Sequence, residues 1–102
     1  MRVEILDTAL AEAAEAAAWY EREVPALGED FLDELDRALA GISERPQAWP
    51  RLGNIRRRAV RRLVLRRFPF DVVYVRRSDH LLIVAVAHHR RRPRYWIGRL
   101  SG

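Results

Sequence analysis

The stretch FDVVYVRRSDHLLIVAVAH, residues 70–88, decides the fold. Two apolar runs, Phe70 to Arg77 and His80 to His88, are divided by Ser78-Asp79, a polar break of the kind that joins antiparallel strands. The second run, Leu81-Leu82-Ile83-Val84-Ala85-Val86-Ala87, is apolar on both faces of a strand and so belongs in the centre of a sheet. Upstream, beyond Pro69, residues Ile55 to Phe68 form a third extended run. There Arg62 and Arg66 share a face with Val60 and Val64, while Arg61 and Arg67 share the other with Leu63 and Leu65. Whichever face is buried, Arg residues remain on the open one. The segment before it, residues 45–54, reads as a turn-rich connector, because Pro46 and Pro50 break helices and Gly53-Asn54 favours a turn.

Toward the N-terminus, Val3 and Ile5 alternate with Glu4 in a short strand. Asp7 or Thr8 can then cap a helix by offering a side-chain oxygen to the free N–H groups of its first turn. That helix runs to about Val24, with Leu10, Ala13, Ala17, Tyr20 and Val24 on one face. At 100° per residue Trp19 falls among Glu12, Glu15, Arg22 and Glu23 rather than on the apolar stripe. Pro25 ends the helix, and Gly28 opens a second from about Glu29 to Glu44 with Phe31, Leu35, Ala38, Leu39 and Ile42 at helical spacing. So short a link makes the two helices an antiparallel hairpin. The expected fold is α+β, in the order β-α-α-β-β-β: an N-terminal strand, a helical hairpin on one face of an antiparallel sheet, and a short C-terminal segment, all one domain over residues 1–102. Its core should join Leu10, Ala17, Tyr20, Phe31, Leu35, Leu39 and Ile42 to Val72, Tyr74, Ile83 and Val86.

Charge divides the chain in two. Residues 1–44 hold three Arg against twelve acids, a net −9; residues 45–102 hold sixteen Arg against two acids, a net +14. There is no Lys and no Cys. Thiol chemistry, disulfides and Cys-based zinc sites are thereby excluded, and with three His, two of them adjacent, no metal or other cofactor is expected. Guanidinium groups match phosphate and carboxylate and stay charged at any physiological pH, so the basic half is built to meet anions. Acidic residues near the N-terminus leave no signal-peptide core, and no apolar stretch approaches the length of a membrane span; a cytoplasmic location without membrane contact is expected.

Arg is too basic to shuttle protons, so acid or base chemistry would fall to His, Asp, Glu or Tyr. His88 ends the apolar strand, and Tyr95 follows in the cluster HHRRRPRYW, residues 88–96. Arg62, Arg67, Arg90, Arg91 and Arg94 are the candidates for binding nucleic acid or another anionic target, since basic groups interleaved with aromatics suit an unstacked strand. Trp19, an aromatic on a charged helix face, is the candidate anchor for a protein partner.

The ordered set Trp19-Tyr20, Leu27-Gly28 with Phe31 and Leu35, the run from Arg66 to Tyr74, and Val84 to His88 followed by Arg91, Pro93 and Tyr95-Trp96 resembles the RelE/ParE superfamily of toxins from type II toxin-antitoxin modules. The resemblance covers nearly the whole chain. It implies the fold derived above, growth arrest as the outcome, and a cognate acidic antitoxin. Two biochemistries follow from it: RelE-like members cleave ribosome-bound mRNA, and ParE-like members inhibit DNA gyrase. A ribonuclease site would draw on His88, Tyr95, Arg61 and Arg66. The absence of Lys, and of any Glu after Glu44, together with the Phe68-Pro69-Phe70 and His88 to Arg92 segments, favours the ParE-like reading. A non-toxic relative that only binds its antitoxin is the third alternative.

Overall fold

In the computed structural model, which describes residues 1–100, the chain runs β1 (Val3–Ile5), α1 (Asp7–Glu23), α2 (Leu27–Glu44), β2 (Arg51–Ile55), β3 (Arg58–Val64), β4 (Phe70–Arg76), β5 (Leu81–His88) and a closing 3₁₀ turn (Ile97–Leu100). The five strands form one mixed sheet in the order β1-β5-β4-β3-β2. The helical hairpin covers one face. On it Phe31, Leu35 and Ile42 of α2 meet Val72, Tyr74, Ile83 and Val86. Burying each such side chain is worth roughly 1.5–3 kcal/mol before ordering entropy is counted. Tyr20, Phe31, Phe68 and Phe70 interlock beside them, with ring centroids 4.8–5.5 Å apart for the closest pairs.

Three local features differ from the sequence-based expectation. The connector is partly a strand: Arg51–Ile55 pairs with β3, and the expected long strand from Ile55 is instead a hairpin turning at Arg56-Arg57. Both turn residues have positive φ, 52° and 64°, as a two-residue hairpin of this hand demands, although Asn-Gly is the usual signal for it. Gly53, read as a turn residue, lies within β2 beside a register shift, at φ 115°. The sheet is also not wholly antiparallel, because β1 lies parallel to β5. Interior β5 is covered on both faces as its composition requires, but the middle strand is β4.

Helix α1 meets the core with only part of the expected stripe, Ala13 with the partly buried Ala17 and Tyr20. Ala9, Ala13 and Ala16 face the core, whereas Leu10 and Val24 are 55% and 51% exposed. Only small side chains let a helix lie this close to both the sheet and α2. The same closeness explains Gly28: a Cβ there would stand 2.4 Å from the Ala17 carbonyl oxygen. Neither Asp7 nor Thr8 caps α1; Leu6 occupies the cap position without a side-chain bond. The start of α2 is capped instead by Glu21 of α1, whose carboxylate accepts the N–H groups of Ala26 and Gly28 at 2.8 and 3.0 Å.

A bulge in β5 sets up the functional region. Val73 pairs with Ala85 and Tyr74 with Ile83, so Val84 has no opposite number. The extra residue shifts the alternation: Ile83 and Val86 both face the helices, while Val84, Ala85 and Ala87 face away. The second face of the sheet is closed in part by Trp96 and Leu100, 4% and 1% exposed, which pack on Val73, Val75 and Val84.

Candidate functional site

Beyond the end of β1, the edge of β5 is completed by side chains. Leu6 donates its N–H to the Ile83 carbonyl, and there strand pairing on this edge stops. Further along, Glu12 of α1 accepts the Val86 N–H at 3.1 Å, and the Arg99 guanidinium donates to the Val84 carbonyl at 3.0 Å. Arg99 also grips Glu12 through both terminal nitrogens, at 2.9 and 3.1 Å, and the Tyr95 hydroxyl donates to the same carboxylate. A carboxylate and a guanidinium thus stand in for a missing strand, and they fasten the C-terminal segment to α1.

Burial by itself would raise the Glu12 carboxyl, but hydrogen bonds from Arg99, Tyr95 and the Val86 N–H outweigh it and hold the group below its ordinary value. The Tyr95 phenol moves far the other way, through burial first and then through its bond to Glu12. Tyr95 therefore stays protonated throughout the physiological range. The Arg91 guanidinium lies 3.9 Å above its ring, a cation–π contact that fixes the loop between β5 and the C-terminal turn.

That loop separates two clefts. The first, about 330 Å³, opens on the helix side between α1 and the end of β5, lined by Trp19, Tyr20, Phe70, His88, Arg91 and Tyr95 together with Glu12, Glu15 and Arg22. Trp19 stands 51% exposed at its rim, edge-on to Tyr20 at 5.3 Å. His88 is half-buried edge-on to Phe70, and its Nδ1 accepts the Arg90 N–H at 3.0 Å, which places the ring proton on Nε2. Burial, then the neighbouring Arg90 and His89, lower its pKa, which favours the neutral ring.

The second cleft, about 540 Å³, lies on the opposite sheet face, with Arg62, Asp71, His89, Arg91, Arg92 and Arg94 in its lining. Asp71 contacts His89 Nε2 at 2.8 Å through one carboxylate oxygen and Arg62 at 3.4 Å through the other. Arg94, held in a left-handed conformation at φ 58°, reaches the Leu52 carbonyl at 3.4 Å.

The four residues considered for ribonuclease chemistry are not assembled together. His88 and Tyr95 share the first cleft, but Arg61 donates to the Trp49 carbonyl at 2.7 Å and lines neither cleft. Arg66 sits in the β3–β4 loop, where Glu34 of α2 accepts its backbone N–H and that of Arg67. Arg67 pairs with Asp30 at 3.4 Å. Of the anion-binding candidates, Arg62, Arg91 and Arg94 converge on the second cleft, whereas Arg67 and Arg90 stand outside both. Sequence reasoning missed Glu12, Arg99, Arg92 and the Asp71–His89 pair. Asp71 carried the one usable signal, being an acid inside an otherwise apolar strand of the basic half. Among the described residues no cluster of three or more His, Asp or Glu could hold a metal ion, and no helix is long and apolar enough to cross a membrane.

Comparison with solved structures gives the fold first. The fold matches a chain of the chromosomal ParDE toxin-antitoxin system from P. aeruginosa, with a TM-score of 0.62 and 18% identity, over 86% of this chain and 95% of that one. At that identity the likeness is one of fold. The particular family follows from the sequence: the model of the ParE toxin of type II toxin-antitoxin systems, parDE, matches residues 3–93. The chain belongs to that family, and is the toxin half of a toxin-antitoxin pair. Its partner is an antitoxin. No curated protein matches the sequence.

Proposed function

We propose that this toxin arrests growth by inhibiting DNA gyrase, and that its acidic antitoxin seats an apolar anchor against Trp19 in the helix-side cleft. The observation that carries the reading is the fate of Tyr95. Its hydroxyl is bound to Glu12, its ring is covered by Arg91, and its pKa lies far above the range in which a phenol exchanges protons with substrate. His88 has one ring nitrogen already engaged, and the two arginines that would stabilise a phosphorane lie elsewhere. A gyrase inhibitor needs none of this machinery, only a surface that captures a protein–DNA intermediate.

The test is a supercoiling assay with purified toxin, run beside an assay for ribosome-dependent mRNA cleavage. The double variant His88→Gln, Tyr95→Phe should still inhibit supercoiling and still arrest growth. Codon-dependent cleavage of mRNA by the wild type, abolished in that variant and accompanied by no effect on supercoiling, would make the chain an endoribonuclease instead.

A further inference from the structure

We propose that the cleft on the sheet face away from the helices binds the phosphodiester backbone of nucleic acid, so that the toxin meets the gyrase complex through its DNA. The choice of duplex DNA rests on the gyrase reading; the ligand class rests on the cleft itself. Four guanidinium groups line it, Arg62, Arg91, Arg92 and Arg94, against the single carboxylate of Asp71. Asp71 is 15% exposed and has both oxygens engaged, one by His89 and one by Arg62, so it presents little free negative charge to a ligand. Arg62 remains 48% exposed and gives Asp71 only one nitrogen, at 3.4 Å, which leaves donors of its planar fork for a phosphate.

The helix-side cleft provides the contrast within the same molecule. Its lining sets Glu15, and Glu12 already gripped by Arg99, beside Arg22 and Arg91, the last shared by both clefts, and its rim carries an exposed Trp. That is the chemistry of a protein anchor. On the opposite face Trp96, Val73 and Ala87 are 4%, 2% and 7% exposed, and the large apolar side chain left open in the lining is the aliphatic Val64, 50% exposed. A lining of four cations and one engaged carboxylate suits a ligand that presents regularly spaced anions, and backbone phosphates are such a ligand.

The experiment measures binding of the full-length toxin to a fluorescein-labelled DNA duplex by anisotropy over a range of salt concentrations, and supercoiling inhibition with the same preparations. Arg62→Gln, Arg92→Gln and Arg94→Gln should each weaken duplex binding about 3- to 10-fold and reduce the salt slope by about one. Arg37→Gln, in the acidic half and outside both clefts, should change neither. No duplex binding by the wild type would overturn the proposal, as would variants that lose gyrase inhibition while keeping duplex affinity and slope, since the cleft would then face protein. A polyglutamate peptide bound as tightly, with the same dependence on the three arginines, would also overturn it. Duplex binding through these arginines without gyrase inhibition would uphold the cleft and dismiss the gyrase reading. Preference for single-stranded RNA over the duplex would likewise uphold the phosphodiester assignment and move the target to RNA.

Discussion

Replacing Glu12 by Ala should unfasten the C-terminal segment from α1. The side chain is 14% exposed and its Arg99 partner 22%, so the pair is only weakly screened by solvent. Truncation leaves the Val86 N–H, the Tyr95 hydroxyl and the Arg99 guanidinium without their common acceptor. Breaking a buried ion pair from one side costs about 3–5 kcal/mol, and partial exposure of this one brings the expectation to roughly 3 kcal/mol. For a domain of this size that corresponds to a fall in melting temperature on the order of 15 °C. The pH profile carries a second signature. Because the folded-state pKa of Glu12 is depressed, its contribution is fully present above the unfolded value of 4.5 and disappears as pH falls through the folded value. Calorimetric melts at neutral pH and stepwise into acid should therefore show wild type and Glu12→Ala converging as the carboxyl protonates. Glu12→Gln, which can still accept the Val86 and Tyr95 bonds, should fall between them. A Glu12→Ala protein melting within about 2 °C of wild type at neutral pH would refute the reasoning. So would a gap between the two that persists unchanged into acid.

Gly28→Ala should destabilise by about 1–3 kcal/mol, because the new methyl would force α2 away from the Ala17 carbonyl 2.4 Å distant; urea melts would register it as a lower midpoint at unchanged slope. Trp19→Ala should leave the fold intact and weaken antitoxin binding at least tenfold, about 1.4 kcal/mol, by titration calorimetry; unchanged affinity would remove Trp19 as the anchor.

The sequence was most legible where residue size and periodicity agree. In α2 the large residues Phe31, Leu35 and Ile42 sit at helical spacing, and all three are buried. In α1 ten of the seventeen residues are apolar, seven of them Ala, so the pattern leaves the phase open. Leu10 and Val24 were misplaced on the buried stripe, because close packing selected Ala9 and Ala16 beside the expected Ala13, Ala17 and Tyr20. The Arg56-Arg57 turn was hidden for a related reason: it has the geometry of an Asn-Gly turn without the residues that announce it. As for the site, composition was enough to place the cations in the C-terminal half, but not to sort them. Arg67 and Arg62 look alike in sequence, yet one is paired with the acidic helices and the other faces the open cleft. Glu12 could not have been singled out, since Tyr95 and Arg99 lie 83 and 87 positions away and nothing local marks a carboxylate for so distant a partner.

The bulge at Val84 has a consequence for how relatives of this chain are compared. Ala85 to His88 keep their faces only because Val84 is set aside as an extra residue, so a relative with as many residues in β5 but an unbroken ladder would present the equivalent of His88 to the opposite side, whereas one that lacks the extra residue would keep it in place. Two sequences could then align column for column through the C-terminal cluster and yet display it in mirror-image order. Gap placement within seven apolar letters, where substitution scores hardly discriminate, thus decides which arginines are equivalent. Transfer of a binding residue from one such toxin to another is sound only after the bulge has been located in both.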